Sequence, residues 1–417
     1  MLARINSSRF SIVCSALLAL RPIVASPFHH ISKVESSCSS AYPVTRARRR
    51  HTTTNTRLFA MADANMHNNN NNNRPAASGA VANAIATIES IIGKDEGGRG
   101  MEGLIVPGDL LDGATRLARL TPISRDDDNR QAHVVILSGF PCCVDSDPPT
   151  ETDGPPGTFA IARAALGLGY RVTVVTDECN RAVFAAASPF PSKITFVTYP
   201  SEDKMTDGDW QDMKALVKSA DIIVACERAG PAKDGRCYTM RGIDMTDRGL
   251  IAPIHKIVEM GREVPDIVTS KVPFVAIGDG GNELGMGKVL QSIVSNPKIK
   301  NGEKIAAVTP ADSLIAASVS NWGGYALAAA AALVRYGDAE GDRSTTGSVG
   351  QEESFEQFLD KFVPTEEDEI ALLDRCVEKG CRDGVSGKVE ATVDGMPLET
   401  SMKCLRDIRD AATGASL

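Results

Sequence analysis

From residue 133 onward, short apolar runs rich in Val, Ile and Ala alternate with longer stretches in which apolar positions recur at helical spacing. The runs at 134–138, 171–176, 194–198, 221–225, 274–277 and 304–308 predict six strands. Their near-continuous apolar character predicts burial on both faces, as in a parallel sheet wrapped by helices. Helices are expected between them at 158–167, 180–187, 209–218, 250–261, 285–295 and 322–336, with two more at 81–92 and 108–120 ahead of the sheet. Residues 337–353, rich in Gly, Asp, Ser and Thr, read as a surface loop, and a helical hairpin at 365–380 and 397–410 follows. The fold class is therefore α/β: a mostly parallel sheet in a doubly wound, three-layer αβα sandwich, with extra helices at both ends. Ligands of such sheets bind beyond the carboxyl ends of the strands, so the polar segment after each strand is the place to look.

Charge divides the chain near Met61. Residues 1–61 hold nine Lys/Arg and one acid, leaving 36 basic and 52 acidic residues, a formal −16, in the rest. An acidic body without a basic stripe argues against nucleic acid as partner. The basic head reads as a targeting presequence over 1–61. Its apolar stretch at 11–20 is too short to span a bilayer, which argues against stable membrane insertion. Ile23-Val24-Ala25-Ser26-Pro27-Phe28 can be a signal-peptidase site followed by an Arg/Ser/Thr-rich transit segment, which resembles bipartite plastid presequences. A simple mitochondrial presequence fits as well, so the expected address is the mitochondrial matrix with the plastid stroma as alternative. A disordered extension, or translation starting at Met61, is the plainer reading. Residues 62–80, with six consecutive asparagines from Asn68 to Asn73, read as linker, and a single α/β domain is expected over 81–410. The ten cysteines show no CxxC pair, against structural zinc or a secreted disulfide framework; Cys142-Cys143 are adjacent and have no assigned role.

Four post-strand segments carry the candidate chemistry. In Glu151-Thr152-Asp153-Gly154-Pro155-Pro156-Gly157-Thr158, two prolines and two glycines set a stiff loop that opens a helix, whose free N–H groups suit an anion. Glu151 and Asp153 place two carboxylates beside it; an ordinary turn with an N-cap is the other reading. The segment 226–242 packs Arg228, Lys233, Arg236 and Arg241 into 14 residues of an acidic protein, where an acidic small molecule finds partners, unless it is a solvated loop of local ion pairs. Gly278-Asp279-Gly280-Gly281-Asn282-Glu283-Leu284-Gly285-Met286-Gly287-Lys288 combines five glycines with three oxygen ligands, Asp279, Asn282 and Glu283. It is neither a P-loop, since Asn282 stands where the first glycine belongs, nor a dinucleotide fingerprint, since Glu283 replaces the third. Ser320 and Asn321, in the fourth segment, can line the crevice or cap a helix. Beyond the linker only His133 and His255 remain, neither in a nucleophile elbow, so a Ser-His-Asp hydrolase is not expected.

These segments, in this order, resemble the D-glutamate cyclase family through its carboxy-terminal domain. The likeness extends upstream to Gly97-Gly98-Arg99-Gly100 and downstream to Asp383-Gly384-Val385-Ser386-Gly387 and Thr392-Val393-Asp394-Gly395. It implies conversion of D-glutamate to 5-oxo-D-proline with loss of water, by a hydro-lyase. That chemistry needs a base for the amine, an electrophile for the departing oxygen and a grip on the α-carboxylate. On this resemblance Asp279 and Glu283 either hold a divalent cation, Mg²⁺ or Mn²⁺, or act as acid and base. Asp153 orients or deprotonates the amine, and Glu227 joins the catalytic carboxylates. Arg228 and Arg241 bind substrate carboxylates, Gly154 and Gly157 offer backbone N–H groups, and Lys233, Asn282 and Lys288 complete the substrate contacts. Two alternatives stay open: another acidic amino-acid lyase or racemase on the same scaffold, and a non-catalytic binder of acidic metabolites. Oligomeric state is not expressed in the sequence.

Overall fold

Six strands form the sheet: β1 (His133–Gly139), β2 (Arg171–Asp177), β3 (Thr195–Tyr199), β4 (Ile222–Arg228), β5 (Phe274–Gly278) and β6 (Ser313–Ala316). A computed structural model of the protein describes residues 77–123, 130–263, 271–346 and 353–415, the side chains of 341–346 excepted. Residues 1–76, where the presequence and most of the linker are expected, lie outside the described residues. Every strand pair is parallel, in the order β3-β2-β1-β4-β5-β6. The order reverses between β1 and β4, which is where an open parallel sheet leaves a crevice.

Side-chain alternation assigns the layers. Val134, Ile136, Val172, Val174, Ile222 and Val224 face one cluster. That cluster is built from α1 (Gly79–Ile92), α2 (Asp109–Ala118), α3 (Pro155–Gly167), α4 (Arg181–Ala187), α9 (Ser320–Thr346), α10 (Phe355–Leu359), α11 (Glu366–Glu378) and α12 (Leu398–Thr413). Val135, Leu137, Val175, Ile223 and Ala225 face the other, with α5 (Asp207–Ser219), α6 (His255–Arg262), α7 (Leu290–Ser295) and α8 (Gly302–Ile305). Both faces are covered, as the apolar runs require. Each large side chain buried there, Phe159, Phe184 and Phe274 among them, contributes about 1.5–3 kcal/mol. Among the described residues no helix is long and apolar enough to cross a membrane.

α3 and α9 cross closely because glycines meet. A Cβ on Gly324 would lie 2.5 Å from Gly157 Cα, and one on Gly157 would lie 2.9 Å from Asn321 Cα. This contact brings the amino ends of both helices together under the crevice.

Several expectations are corrected. Residues 304–308 are not a strand: Asn301, at φ +63°, starts a helical turn, and the following Ala307 and Val308 N–H groups bond to Gly281 O and Pro231 O rather than to a ladder. The sixth strand is the shorter, fully buried Ser313–Ala316, with Leu314 N–H held by Asp109 Oδ2 at 2.7 Å. Nor is 337–346 a loop. α9 runs on to Thr346, because Gly337 costs it only about 1 kcal/mol while Asp338 pairs with Arg119 at 2.6 Å. Residues 347–352 lie outside the described residues. α6 also starts later than its apolar pattern suggests, after Pro253.

Candidate active site

Where β1 and β4 lose register, Ser138 pairs with Cys226 and Gly139 with Arg228, leaving Glu227 as the extra residue of a bulge. Its φ of +43° is unusual for a residue with a side chain, a conformation costing on the order of 1–3 kcal/mol. A bulge re-aims a side chain, and here it turns the Glu227 carboxyl into the crevice, where Ser320 Oγ donates to it at 2.6 Å. Gly154, at φ +109°, passes so close that a Cβ would stand 3.1 Å from Glu227 Cβ.

The neighbouring loops supply more carboxyls. Asp153 accepts the N–H groups of Gly154 (2.9 Å), Asn321 (2.8 Å) and Ser320 (2.9 Å), and so caps the amino end of α9. Asp279, just past β5, and Asp394, at φ +55°, share the guanidinium of Arg99, at 2.6 and 3.0 Å. Arg99 also donates to Ser318 O at 2.7 Å. Carboxylate oxygens of Asp153, Glu227 and Asp279 lie within 4.8 Å of one another, all buried. This buried triad of hard oxygen donors can hold a metal ion.

The crevice is a cavity of about 310 Å³, walled by Arg99, Glu151, Glu227, Asp279, Asn282 and Asp394, with Arg241, Lys298 and Lys300 also reaching it. That is the small end of the range for ligand sites, ~300–1,000 Å³. Asn282 donates through Nδ2 to Tyr238 O at 2.7 Å, while its Oδ1 is buried without a partner. A buried acceptor left unpaired costs roughly 1–3 kcal/mol unless a ligand donor meets it.

So many buried acids cannot all ionise. Burial, then the neighbouring Asp394, pushes Asp153 up to about 7 against the pull of its backbone N–H partners. Burial lifts Asp279 to about 8 although Arg99 opposes it, and burial with the Asp279 charge does the same to Asp394. Glu151 and Glu227 rise well above the usual carboxylate range through burial and the surrounding acids. Arg99 stays charged, since Asp279 and Asp394 outweigh its own burial.

Residues 88–409 match the family described as D-glutamate cyclase-like, C-terminal. The chain belongs to this D-glutamate cyclase-like family. The mitochondrial D-glutamate cyclase of Homo sapiens is 31% identical over 353 residues, 81% of this chain and 53% of the human protein. The chain thus spans about half the length of that relative.

Among the residues singled out from sequence, this D-glutamate cyclase-like fold brings Asp153, Glu227 and Asp279 together, and places Asn282, Glu283 and Arg241 on the cavity. It sets others elsewhere. Arg228 is fully buried, paired with Asp177 and donating to Gly139 O and Ala252 O, so it cannot grip a substrate. Lys233 is exposed and does not line the cavity. Lys288 is held by Asp109 at 2.5 Å and Asp312 O at 2.6 Å. The Gly154 and Gly157 N–H groups are both taken by Asn321 Oδ1 at 2.9 Å, not offered to a ligand. Glu283 accepts the N–H groups of Gly280 and Gly281 at 2.7 Å and of Asp279 at 3.3 Å; it fixes the glycine turn, and the metal-capable partners of Asp279 are Asp153 and Glu227.

Arg99 and Asp394 had no role assigned from sequence. The signal was present: an arginine among three glycines and an Asp-Gly step are loop chemistry rather than a solvated helix face. What sequence could not show is that Asp394, 295 positions away, reaches the Arg99 guanidinium.

Proposed function

We propose that this chain is a D-glutamate cyclase, converting D-glutamate to 5-oxo-D-proline with loss of water, a carbon–oxygen lyase reaction. The observation that carries the reading is the cluster of buried carboxyls, held well above the usual carboxylate range, on the cavity that Asn282, with its Oδ1 unpartnered, also lines. The family membership and the human relative's name support it.

Cyclisation joins the α-nitrogen to the γ-carboxyl carbon and expels one γ-oxygen as water, so amine and γ-carboxyl must lie together while the α-carboxylate is held apart. Electrostatics orients the substrate. The ammonium belongs deep, against the acids and Asn282 Oδ1, and the α-carboxylate belongs at Arg241 and Lys300, exposed cations that line the cavity. Asp279, once ionised, takes one proton from the ammonium and Glu151, held protonated, delivers one to the departing oxygen; the second proton passes from the nitrogen to that oxygen as the adduct collapses, so that it leaves as water. With a divalent cation such as Mg²⁺ or Mn²⁺ bound, Asp153, Glu227 and Asp279 would hold it, it would supply Lewis-acid polarisation of a carboxyl oxygen, and Asp279 would serve as a ligand in place of the base. Arg99 keeps the Asp279–Asp394 pair from repelling itself out of the wall. The basic head and the relative's printed location support import into mitochondria, which a fluorescent fusion of residues 1–76 tests.

The test is NMR of the purified protein with D- or L-glutamate, with and without Mn²⁺. Expected is 5-oxoproline from the D isomer, with Glu151→Gln and Asp279→Asn each lowering kcat at least ~100-fold and Arg241→Ala acting mainly on KM. No product from either isomer, with glutamate still raising the Tm, would replace the enzyme by a binder of acidic metabolites.

A further inference from the structure

The loop after β1, Phe140-Pro141-Cys142-Cys143, carries two adjacent thiols whose Sγ atoms are 3.8 Å apart. Cys142 lines the cavity beside Glu151 and Gly384; a Cβ at 384 would meet Cys142 Sγ at 3.2 Å and Glu151 Oε2 at 2.0 Å. Both cysteines are half-buried and free. Among the described residues the remaining thiols are less available: Cys226, Cys237, Cys376, Cys381 and Cys404 are buried, and Cys179 donates to Leu250 O at 3.4 Å. The loop is pinned from below, Cys143 N–H donating to Pro149 O at 3.1 Å and Ser146 N–H to Cys143 O at 2.8 Å, so the two side chains are presented in a fixed place. The hydrogen bond from Cys142, and then Arg382 and Arg241, hold the Cys143 thiol below its ordinary range, while Cys142 is held above it by Cys143, burial and Glu151. Adjacent on a pinned loop, with Cys142 on the cavity beside Glu151, one thiol serves as nucleophile and the other as its resolving partner.

We propose that Cys142 and Cys143 form a reversible dithiol–disulfide site in the cavity wall, closed by exchange with a low-molecular-weight disulfide and opened by thiols. The Cys143 thiolate attacks one sulfur of the small disulfide, forming a mixed disulfide and expelling one thiolate. Cys142 loses its proton to water and attacks the Cys143 sulfur, forming the Cys142–Cys143 bond and expelling the second thiolate. The dithiol gives two electrons and the small disulfide is reduced to two thiols. Neighbouring Cα atoms are about 3.8 Å apart, short of the roughly 4.4–6.8 Å that disulfides usually span, so the closed form is strained and readily reduced. Closure draws Cys142 Sγ toward Cys143 and away from its place beside Glu151 on the cavity wall. The expected loss of turnover rests on the function proposed above; the bond itself does not.

The experiment incubates the full-length protein with glutathione at graded ratios of disulfide to thiol, followed by peptide mapping and 5-oxoproline assay. Expected is loss of two hydrogens from the peptide containing residues 142–143 alone, reversal by thiol, and at least a ~tenfold fall in turnover with the same midpoint. Cys143→Ser should turn over like the reduced protein and resist oxidation. Thiols that stay reduced in excess disulfide, a persistent glutathionyl adduct, turnover unchanged in the closed form, or a Cys143→Ser protein that is still inactivated each overturn the proposal. If the reduced protein makes no 5-oxoproline, the proposed function fails and the mapping alone decides this site.

Discussion

Arg228 stands one residue from the bulged Glu227, yet its side chain runs the other way, beneath the sheet's carboxyl edge. There its guanidinium meets Asp177, and Asp177 Oδ1 accepts the Ala252 N–H at 2.6 Å. With both partners out of water, removing one leaves an uncompensated charge, a loss of about 3–5 kcal/mol. Urea unfolding should therefore show Arg228→Met destabilised by about that much, and much less so in an Asp177→Asn background, because the orphaned charge is then gone. A substrate contact would behave otherwise, raising KM at unchanged stability. Arg99 lies under the same rule: Arg99→Ala should unfold about 3–5 kcal/mol more easily near pH 8, and the loss should shrink near pH 5, where Asp279 and Asp394 hold their protons.

At the scale of elements, the long apolar runs were legible because burial on both faces leaves no alternation to misread. Five of the six strands fall where those runs are, and the parallel sheet follows. The sixth was not, since four residues, Ser313 to Ala316, carry too little pattern, while Ile305 to Val308 carry an apolar run that ends up bonded to loops. At the site, Asp153, Glu227 and Asp279 were legible as polar residues that follow apolar runs. Which cations reach them was not, because facing in or out depends on a one-residue bulge. α11 holds a further misfit invisible in sequence. Glu369 sits in its first turn, buried, with Oε1 lacking a partner. Burial pushes it up to about 8, against the pull of Tyr325, Arg163 and Arg375 and alongside Asp368. The folded protein therefore keeps a proton that the unfolded chain releases above about pH 4.5. Stability is whole below that pH and falls as pH rises through about 8. Glu369→Gln, neutral throughout, should match the parent near pH 4.5 and exceed it by on the order of 3–5 kcal/mol at pH 9, read as the difference between two urea-unfolding pH series.

The whole molecule repeats this argument with more carboxyls. Glu151, Asp153, Glu227, Asp279 and Asp394 come from four separate stretches of chain, so only the complete fold buries and crowds them, and each is raised by its burial first and then by its acidic neighbours. Between about pH 4 and pH 8 the folded state binds more protons than the unfolded one, so stability without a cation should decline across that window. A divalent cation held by Asp153, Glu227 and Asp279 would compete with those protons and favour the folded state, the one that brings the three together. Mn²⁺ should hence raise the Tm more at pH 8 than at pH 6, by several degrees when in large excess over its Kd. Asp279→Asn should flatten the pH decline, because one buried charge no longer forms, and also shrink the Mn²⁺ effect, because one ligand is lost. Glu369→Gln changes the first slope and leaves the second response intact, which separates a general burial effect from the site itself. An Asp279→Asn protein whose Tm responds to Mn²⁺ as the parent does would move the cation away from this triad and leave proton transfer among the carboxyls as the chemistry of the cavity.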